Sequence, residues 1–147
     1  MTVSTVGVLL ALGSVPGLTD VSSAQSGTVD TFKSDSALHH AAHRGDVASL
    51  QRELDSGADP NVTNRFGVTS LSLACTGGHV EAINVLLTAG ADPNQASAAG
   101  ETPLMVAART GVVDSVLALL EHGADPVARE SWMGQTALMW ACLLYTF

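Results

Sequence analysis

Three of the chain's five histidines lie close together, and their spacing suits metal binding. His39 and His43 are four residues apart, so a helix would place both imidazoles on one face, as zinc sites on helices require. His40 lies between them in the sequence. A metal-dependent enzyme that uses His39, His40 and His43 is therefore one hypothesis for this chain.

A second pair of residues has the spacing of a nucleophile and its base. Cys75 and His79 are also four residues apart, and an adjacent imidazole can activate a thiol. Elsewhere the sequence contains no phosphate-binding glycine loop, no nucleophile elbow and no paired-carboxylate motif. Whether either group of side chains has a chemical role depends on the elements that position it.

One five-residue phrase occurs three times and sets the period of the chain. It reads Gly-Ala-Asp-Pro-Asn at residues 57–61 and 90–94, and Gly-Ala-Asp-Pro-Val at residues 123–127, each copy 33 residues after the last. Two other columns recur at the same period: Gly45, Gly78 and Gly111, and Leu38, Leu71 and Leu104. A fixed period of this length indicates an architecture of stacked repeats.

These columns resemble the ankyrin repeat. The resemblance is carried by Thr102-Pro103-Leu104, the alanine pair Ala107-Ala108, the mid-repeat glycine and the closing Gly-Ala-Asp, and it covers roughly Asp35 to Cys142. It implies an all-α repeat protein, an ankyrin solenoid of helix-turn-helix units with β-hairpin loops. The period divides the chain into three full repeats, at about residues 35–67, 68–100 and 101–134, and a truncated fourth at residues 135–147.

Each repeat carries local signals for two helices. A Ser or Thr that can cap an N-terminus stands where each first helix should begin: Ser36, Thr69, Thr102 and Thr136. Glycines end both helices, since glycine takes the left-handed conformation at little cost. The second helices carry three apolar columns at helical spacing on one face: Val47, Val80 and Val113; Leu50, Ile83 and Val116; Leu54, Leu87 and Leu120. The fourth interval is 34 residues, so one residue is inserted near Ser131 to Met133.

The two ends of the stack differ in polarity. In the first repeat Arg52 and Glu53 replace apolar residues of the later second helices, which is typical of a polar cap. The fourth repeat runs from its first helix into Cys142-Leu143-Leu144 with no turn glycine and no second helix. We expect an exposed apolar half-repeat there, through which the protein self-associates. Two explanations for this exposed half-repeat are open. The chain is a truncated product of a longer protein, or another chain covers this end.

The repeat frame gives the candidate catalytic residues structural roles. The resemblance implies that His39 is a structural histidine bonding between loops, and no carboxylate or thiol lies nearby in the repeat geometry. Cys75 replaces a core alanine, and Cys142 stands in the same column two repeats on. We expect both cysteines to be buried, and too far apart for a disulfide, because helix layers are about 8–10 Å thick; an intermolecular bridge is the alternative. We therefore expect no catalytic residue, no metal and no cofactor.

The N-terminal residues 1–29 do not match the repeat. The apolar run Val6–Leu12 and the small residues Ser22–Ala24 resemble a signal peptide at residues 1–24, although no Lys or Arg precedes the run. Residues 25–34 form a polar lead-in, and the run is too short to span a membrane, which takes about 20 residues. Residues 130–141 also resemble exported bacterial ankyrin proteins. These features predict a periplasmic or secreted protein, with a cytoplasmic one as the alternative.

Charge and the repeat frame together predict the class of partner. The net charge of −8, from 14 acids and 6 bases, disfavours nucleic acid held by phosphate contacts. The resemblance implies a non-catalytic module that binds another protein through its concave face. The predicted binding residues lie at hairpin tips and on first helices: His43, Arg44, Arg65, Phe66, Val68, Thr76, Glu101, Arg109, Thr110, Trp132, Met133 and Gln135. We expect Phe66 and Trp132 to be anchors flanked by Arg65 and Arg109; a Trp132 folded over the uncapped end is the alternative.

Overall fold

The computed structural model describes residues 37–146, which form seven helices and no regular strand. The first, α1, covers residues 37–44. The others are α2 (Val47–Asp55), α3 (Ser70–Gly77), α4 (Val80–Thr88), α5 (Pro103–Thr110), α6 (Val113–Glu121) and α7 (Ala137–Thr146). They pair as α1 with α2, α3 with α4 and α5 with α6, and α7 is the first helix of a fourth repeat. The predicted all-α ankyrin solenoid is confirmed.

Two of the first helices, α3 and α5, begin and end at the residues that the sequence indicated. The side-chain oxygen of Thr69 accepts the N–H of Ser72, and that of Thr102 accepts the N–H of Met105, so each threonine satisfies a helix N–H that has no partner within the helix. At the other end, Gly78 and Gly111 take left-handed conformations at φ 67° and 73°. These caps fix the length of each first helix and therefore the position of the loop on either side.

The loops between repeats are hairpins without regular strands. In the first, the N–H of Asn64 donates to the carbonyl of Val68 at 3.0 Å, and an isolated antiparallel bridge joins Thr63 to Thr69. The N–H of Ser97 donates to the carbonyl of Glu101 at 2.9 Å in the second loop. The predicted hairpins are therefore present as tight turns closed by isolated backbone hydrogen bonds, without an extended β-ladder.

The core is a layer of small and branched apolar side chains between the helices. Leu38, Leu71 and Leu104 are at most 2% exposed, and each belongs to the column that recurs through the repeats. The interfaces are made by α3 with α5 and by α5 with α7, and the second helices α2, α4 and α6 pack in succession. Within residues 37–146 no helix is long and apolar enough to cross a membrane.

The apolar face of the last second helix is not buried as its columns predicted. Ile83 is fully buried and Leu87 is 6% exposed, whereas Val113 is 67% exposed and Leu120 is 40% exposed. The reason is that α6 packs on α4 (Val80–Thr88), so α4 is covered, while within residues 37–146 no second helix follows α7 to cover α6. This is the exposed apolar end at which self-association was predicted.

The two cysteines differ in burial, so one prediction is wrong. Cys75 is fully buried among the first helices, but Cys142 is exposed. Both occupy the same column, and the column is buried only where another helix pair packs against it. No disulfide joins Cys75 and Cys142, as their separation in the stack predicted.

Candidate functional site

The three hairpin tips are joined to one another by backbone hydrogen bonds. The carbonyl of Phe66 accepts the N–H of Ala98 at 3.2 Å, and the carbonyl of Ala99 accepts the N–H of Ser131 at 3.1 Å. Each bond links one repeat to the next at the outermost point of its loop. We call residues 64–68, 97–101 and 130–135 the tip ribbon.

Glycine is required at the first two tips for two independent reasons. Gly67 and Gly100 have φ of 71° and 80°, a region that side-chain-bearing residues rarely adopt. The neighbouring tip also lies very close: a Cβ on Gly67 would lie 2.8 Å from the Ala98 nitrogen, and one on Gly100 would lie 2.7 Å from the Ser131 nitrogen. These glycines therefore permit the close approach that forms the tip ribbon.

The first tip holds Phe66 in an exposed position. The Asn64 side-chain oxygen accepts the N–H groups of Phe66 and Val68 at 2.9 and 3.1 Å, so a single side chain fixes the loop. The Phe66 ring is 60% exposed, and the guanidinium carbon of Arg65 lies 4.9 Å from its centre. The stacked cation supports the ring from one side and leaves its other side available.

The third tip is one residue longer and is organised by a different side chain. Glu130 stands in the column of Asn64, and its carboxylate accepts the N–H groups of Trp132, Met133 and Gln135 at 2.5, 2.7 and 3.0 Å. The backbone bond from Gln135, and then those from Trp132, Met133 and Gly134, hold the pKa of Glu130 below its usual value, although desolvation opposes this. The longer glutamate thus fits the longer loop.

Glu130 was not among the predicted site residues. The signal that could have identified it was its position: it occupies the column of Asn64 immediately before the inserted residue. An acceptor at that column can bond the loop N–H groups, and a longer side chain reaches across a longer loop. Trp132 and Met133, which it positions, are 85% and 64% exposed.

The predicted binding residues fall into two groups by exposure. Eight are exposed: His43, Arg44, Arg65, Phe66, Thr76, Arg109, Trp132 and Met133. Four are half-buried: Val68, Glu101, Thr110 and Gln135. The half-buried residues take part in loop and helix hydrogen bonds; for example, the Thr110 hydroxyl donates to the Ala107 carbonyl at 2.8 Å.

Arg109 does not flank the third tip as expected. Its guanidinium carbon lies 5.2 Å from the centre of the Trp140 ring, so it pairs with α7 rather than with Trp132. The alternative position for Trp132, folded over the end of the stack, is also wrong, because this side chain is 85% exposed. The tip ribbon therefore presents one aromatic side chain stacked on an arginine and one that projects into solvent.

The histidines have structural contacts between repeats. Nε2 of His39 donates to the Val68 carbonyl at 3.1 Å, and Nε2 of His79 donates to the His43 carbonyl at 3.2 Å, since a carbonyl oxygen can only accept. His40 is exposed on α1. Among residues 37–146 no group of three His, Cys, Asp or Glu side chains is arranged to hold a metal ion.

The protonation state of the Cys75 thiol does not suit nucleophilic chemistry. Burial raises its pKa to about 12, so the thiol is protonated at neutral pH, and the thiolate is the reactive form. The imidazole that was its candidate base, that of His79, bonds to the previous repeat instead. The spacing of Cys75 and His79 is therefore explained by packing.

Charge is distributed unevenly between the two sides of the stack, although one exposed arginine, Arg52, lies on the second helix α2. Three arginines of the first helices and tips are exposed: Arg44, Arg65 and Arg109. Five acids of the second helices and their caps are also exposed: Asp46, Asp55, Glu81, Asp114 and Glu121. The tip side is thus more basic than the side that carries the second helices.

Comparison with known proteins agrees with this architecture. The family described as ankyrin repeats (3 copies) matches the chain three times, at residues 8–97, 38–130 and 90–145. No curated protein matched the chain. Ankyrin repeats are in general protein-interaction modules without catalytic activity. The matches span most of the sequence, so this chain belongs to the ankyrin-repeat family.

Proposed function

We propose that this protein is a non-catalytic binding module that docks another folded protein against its tip ribbon and first helices. Phe66 and Trp132 are its anchors. Arg65 contributes through its stacking on Phe66, and Arg44 and Arg109 contribute charge on the same side. The second helices remain outside the contact.

The observation that carries this proposal is the exposure of two large aromatic side chains on a hydrogen-bonded support. Phe66 and Trp132 are 60% and 85% exposed, and the backbones beside them are joined through Ala98, Ala99 and Ser131. Binding energy in protein interfaces concentrates in a few residues, among which Trp and Arg are enriched. The Phe66 ring, with Arg65 stacked on one side, and the Trp132 ring, which projects into solvent, are available for such a role.

The tip ribbon also lowers the cost of binding. A loop that must be ordered on association loses conformational freedom, which opposes binding by about 0.5–1.5 kcal/mol for each immobilised side chain. Here Asn64 and Glu130 already hold the two loops through N–H groups on both sides of the aromatic residues. The backbones that carry Phe66 and Trp132 are therefore placed before a partner arrives.

Charge favours one orientation of the partner. Three exposed arginines, Arg44, Arg65 and Arg109, lie on the tip side, and five exposed acids lie on the second helices and their caps against one exposed arginine there, Arg52. A partner surface with an acidic region is therefore attracted to the first side and repelled by the second. Such complementarity mainly affects orientation and association rate. We expect binding to weaken as ionic strength rises.

The proposal is tested by partner capture with matched variants. Wild-type protein, Phe66→Ala, Trp132→Ala and Leu117→Ala are immobilised at equal folded concentration, and the proteins they retain from the source organism's extract are identified. Leu117 is a 50% exposed apolar residue of α6, so it controls for nonspecific apolar contact. A specific partner is retained by wild type and Leu117→Ala and lost from both aromatic variants. Equal retention by all four proteins contradicts the proposal.

A further inference from the structure

The middle tip of the tip ribbon, residues 97–101, lacks the side-chain acceptor that the other two tips have. Residues 64, 97 and 130 occupy one column of the repeat and read Asn, Ser and Glu. The Asn64 oxygen and the Glu130 carboxylate each accept loop N–H groups. The hydroxyl oxygen of Ser97 is buried and has no hydrogen-bond partner within residues 37–146. The serine therefore makes none of the bonds that the longer side chains make.

The middle tip has the same backbone closure as the first tip, residues 64–68. In both tips the first residue donates its N–H to the carbonyl of the fifth, at 3.0 Å in the first tip and 2.9 Å in the middle one. The carbonyl of that first residue accepts the N–H of the tip glycine, at 2.9 and 2.8 Å. Because both closures agree, the N–H groups that point at the Asn64 side chain have counterparts that point at Ser97.

These counterparts are two N–H groups without an acceptor. In the first tip the N–H groups of Phe66 and Val68 donate to the Asn64 oxygen. The same columns in the middle tip hold Ala99 and Glu101. Within the part of the chain that the structure describes, neither residue donates its backbone N–H to any acceptor. We call the N–H groups of Ala99 and Glu101 the middle-tip donors.

The middle-tip donors belong to the gap between the two aromatic anchors. Phe66, Ala99 and Trp132 occupy one column of the three tips. The outer two side chains are large and exposed, and the middle one is an exposed methyl group next to the equally exposed and small Ala98. A partner that contacts both aromatic rings therefore passes over Ala99, where no large side chain keeps it away from the donors.

A partner that covers the middle-tip donors must supply a hydrogen-bond acceptor. An N–H group that loses its water and gains no acceptor is unfavourable. The first tip shows which acceptor fits this backbone, because a single amide oxygen, that of Asn64, takes both bonds at 2.9 and 3.1 Å. A carboxylate is less suitable, since Glu101 itself carries one of the donors and its acidic side chain repels a second negative charge.

We propose that the partner of the tip ribbon inserts a neutral amide oxygen between Phe66 and Trp132, where this oxygen accepts the N–H groups of Ala99 and Glu101. The partner thus provides the acceptor that Asn64 provides within the first tip. The oxygen belongs to an Asn or Gln side chain or to a main-chain carbonyl of the partner. This inference rests on the function proposed above, because it takes the tip ribbon as the contact surface.

Amide exchange of the full-length protein, followed by NMR, tests whether the middle-tip donors are unpaired. The protection factors of Ala99 and Glu101 are expected to be lower than those of Phe66 and Val68 by about threefold or more. Ser97→Asn places an amide oxygen in the column of Asn64 and should raise them to the level of the first tip. Ser97→Ala adds no acceptor and should leave them unchanged. Equal protection of the two tips in the wild-type protein overturns the proposal.

Three small probes identify the acceptor and its source. Acetamide represents an Asn or Gln side chain, N-methylacetamide represents a main-chain carbonyl, and acetate represents a carboxylate. The more effective of the two amides, which identifies the source, should shift the amide protons of Ala99 and Glu101 about threefold more than that of Ala98, which is already bonded to the Phe66 carbonyl. Ser97→Asn should remove this difference. Larger shifts with acetate, or equal shifts of all three amide protons, overturn the proposal.

Partner affinity separates this inference from the function on which it rests. For the partner captured by the wild-type protein, Ser97→Asn should raise the dissociation constant about fivefold, as expected for the net loss of about one hydrogen bond. Its melting temperature should be no lower than that of the wild type, and Ser97→Ala should bind like the wild type. If Phe66→Ala and Trp132→Ala weaken binding and Ser97→Asn does not, the tip ribbon is the contact surface but the amide proposal is wrong. If neither aromatic variant weakens binding, the proposed function fails and this inference fails with it.

Discussion

The side-chain amide of Asn61 donates a hydrogen bond to the carbonyl oxygen of Gly90 at 3.1 Å. The oxygen of the same amide accepts the N–H of Asp92 at 2.7 Å, so a single side chain joins the turns of two neighbouring repeats. Asn94 makes the same two bonds to the following turn, at 3.0 and 2.7 Å. The final asparagine of the repeated phrase is thus an inter-repeat link.

Replacement of Asn61 should therefore weaken the stack. Asn61→Ala removes one donor and one acceptor bond, and we expect the free energy of unfolding in urea to fall by about 1–2 kcal/mol. Asn84→Ala, at an exposed position of α4, is the control and should stay within about 0.5 kcal/mol of wild type. Equal stability of the two variants would show that the Asn61 bonds contribute nothing.

Gly67→Ala should destabilise the protein more than Gly57→Ala. Both glycines have positive φ, 71° and 97°, so an alanine at either position pays a conformational penalty of about 1–2 kcal/mol. Only at Gly67 does the added Cβ also approach another backbone, at 2.8 Å from the Ala98 nitrogen, while no atom lies within 4 Å at Gly57.

The two glycine variants are compared by urea unfolding in parallel. Both variants carry a φ penalty, and that at Gly57 is not the smaller, because a φ of 97° lies farther from the left-handed region than one of 71°. A lower stability of Gly67→Ala therefore reports the close approach of the tips. We expect Gly67→Ala to have the lower midpoint and to exchange the Ala98 amide faster. A lower midpoint for Gly57→Ala would mean that the tips adjust to the added methyl group.

The bonds of Glu130 make the third tip sensitive to acid. Its pKa is lowered in the folded protein from an ordinary value of 4.5, so its stabilising effect is fully present above pH 4.5 and is lost as the pH falls through the lower folded value. Glu130→Gln should lower the melting temperature at pH 7, because an amide nitrogen cannot accept the N–H of Trp132.

The melting temperatures of Glu130→Gln and wild type should converge as the pH is lowered from 4.5 towards 2. Other carboxylates also titrate in this range, so the difference between the two proteins is the relevant quantity. Glu121→Gln, exposed at the end of α6, controls for a change of net charge. If the difference in melting temperature between Glu130→Gln and wild type persists unchanged at low pH, the stabilising effect of Glu130 does not come from its charge.

The two thiols should react at very different rates. At pH 8 a pKa of about 12 leaves about one part in ten thousand of Cys75 as thiolate, and the side chain is fully buried. A thiol reagent should therefore titrate Cys142 in the folded protein, and Cys75 only after unfolding. Ala42 and Ala108 occupy the column of Cys75, so the Cys75→Ala variant should fold normally. Its Cys142 thiol should still react rapidly with the reagent. Rapid loss of two thiols from native protein would contradict the buried position of Cys75.

The fold could be predicted because the repeats carry the same kinds of helix-capping and helix-ending residues in the same columns. Thr69 and Thr102 cap helices where the sequence indicated, and Gly78 and Gly111 end them with positive φ. His39 makes the inter-loop bond that the family resemblance implied. Local capping chemistry and a fixed period agree at each of these positions, so the prediction did not depend on tertiary detail.

The errors arose where the regular stack stops or its loop length changes. Cys142 and Leu120 occupy columns that are buried or partly buried in the other repeats, but burial depends on a neighbour that residues 37–146 do not provide. Arg109 stacks on Trp140 because α7 packs on α5. Glu130 bonds the loop that contains the extra residue. The repeat period does not predict any of these contacts, because it treats every repeat as if another repeat packed on each side of it.

The most direct test of the binding account is the effect of Trp132→Ala on partner affinity and on stability, measured together. Because Trp132 is 85% exposed, its truncation should leave the melting temperature within about one degree, while an anchor residue is worth about 2 kcal/mol. We predict a dissociation constant about 30-fold weaker for the captured partner, with Leu117→Ala unchanged. A marked fall in melting temperature, with unaltered affinity per folded molecule, would contradict the account and assign Trp132 to stability.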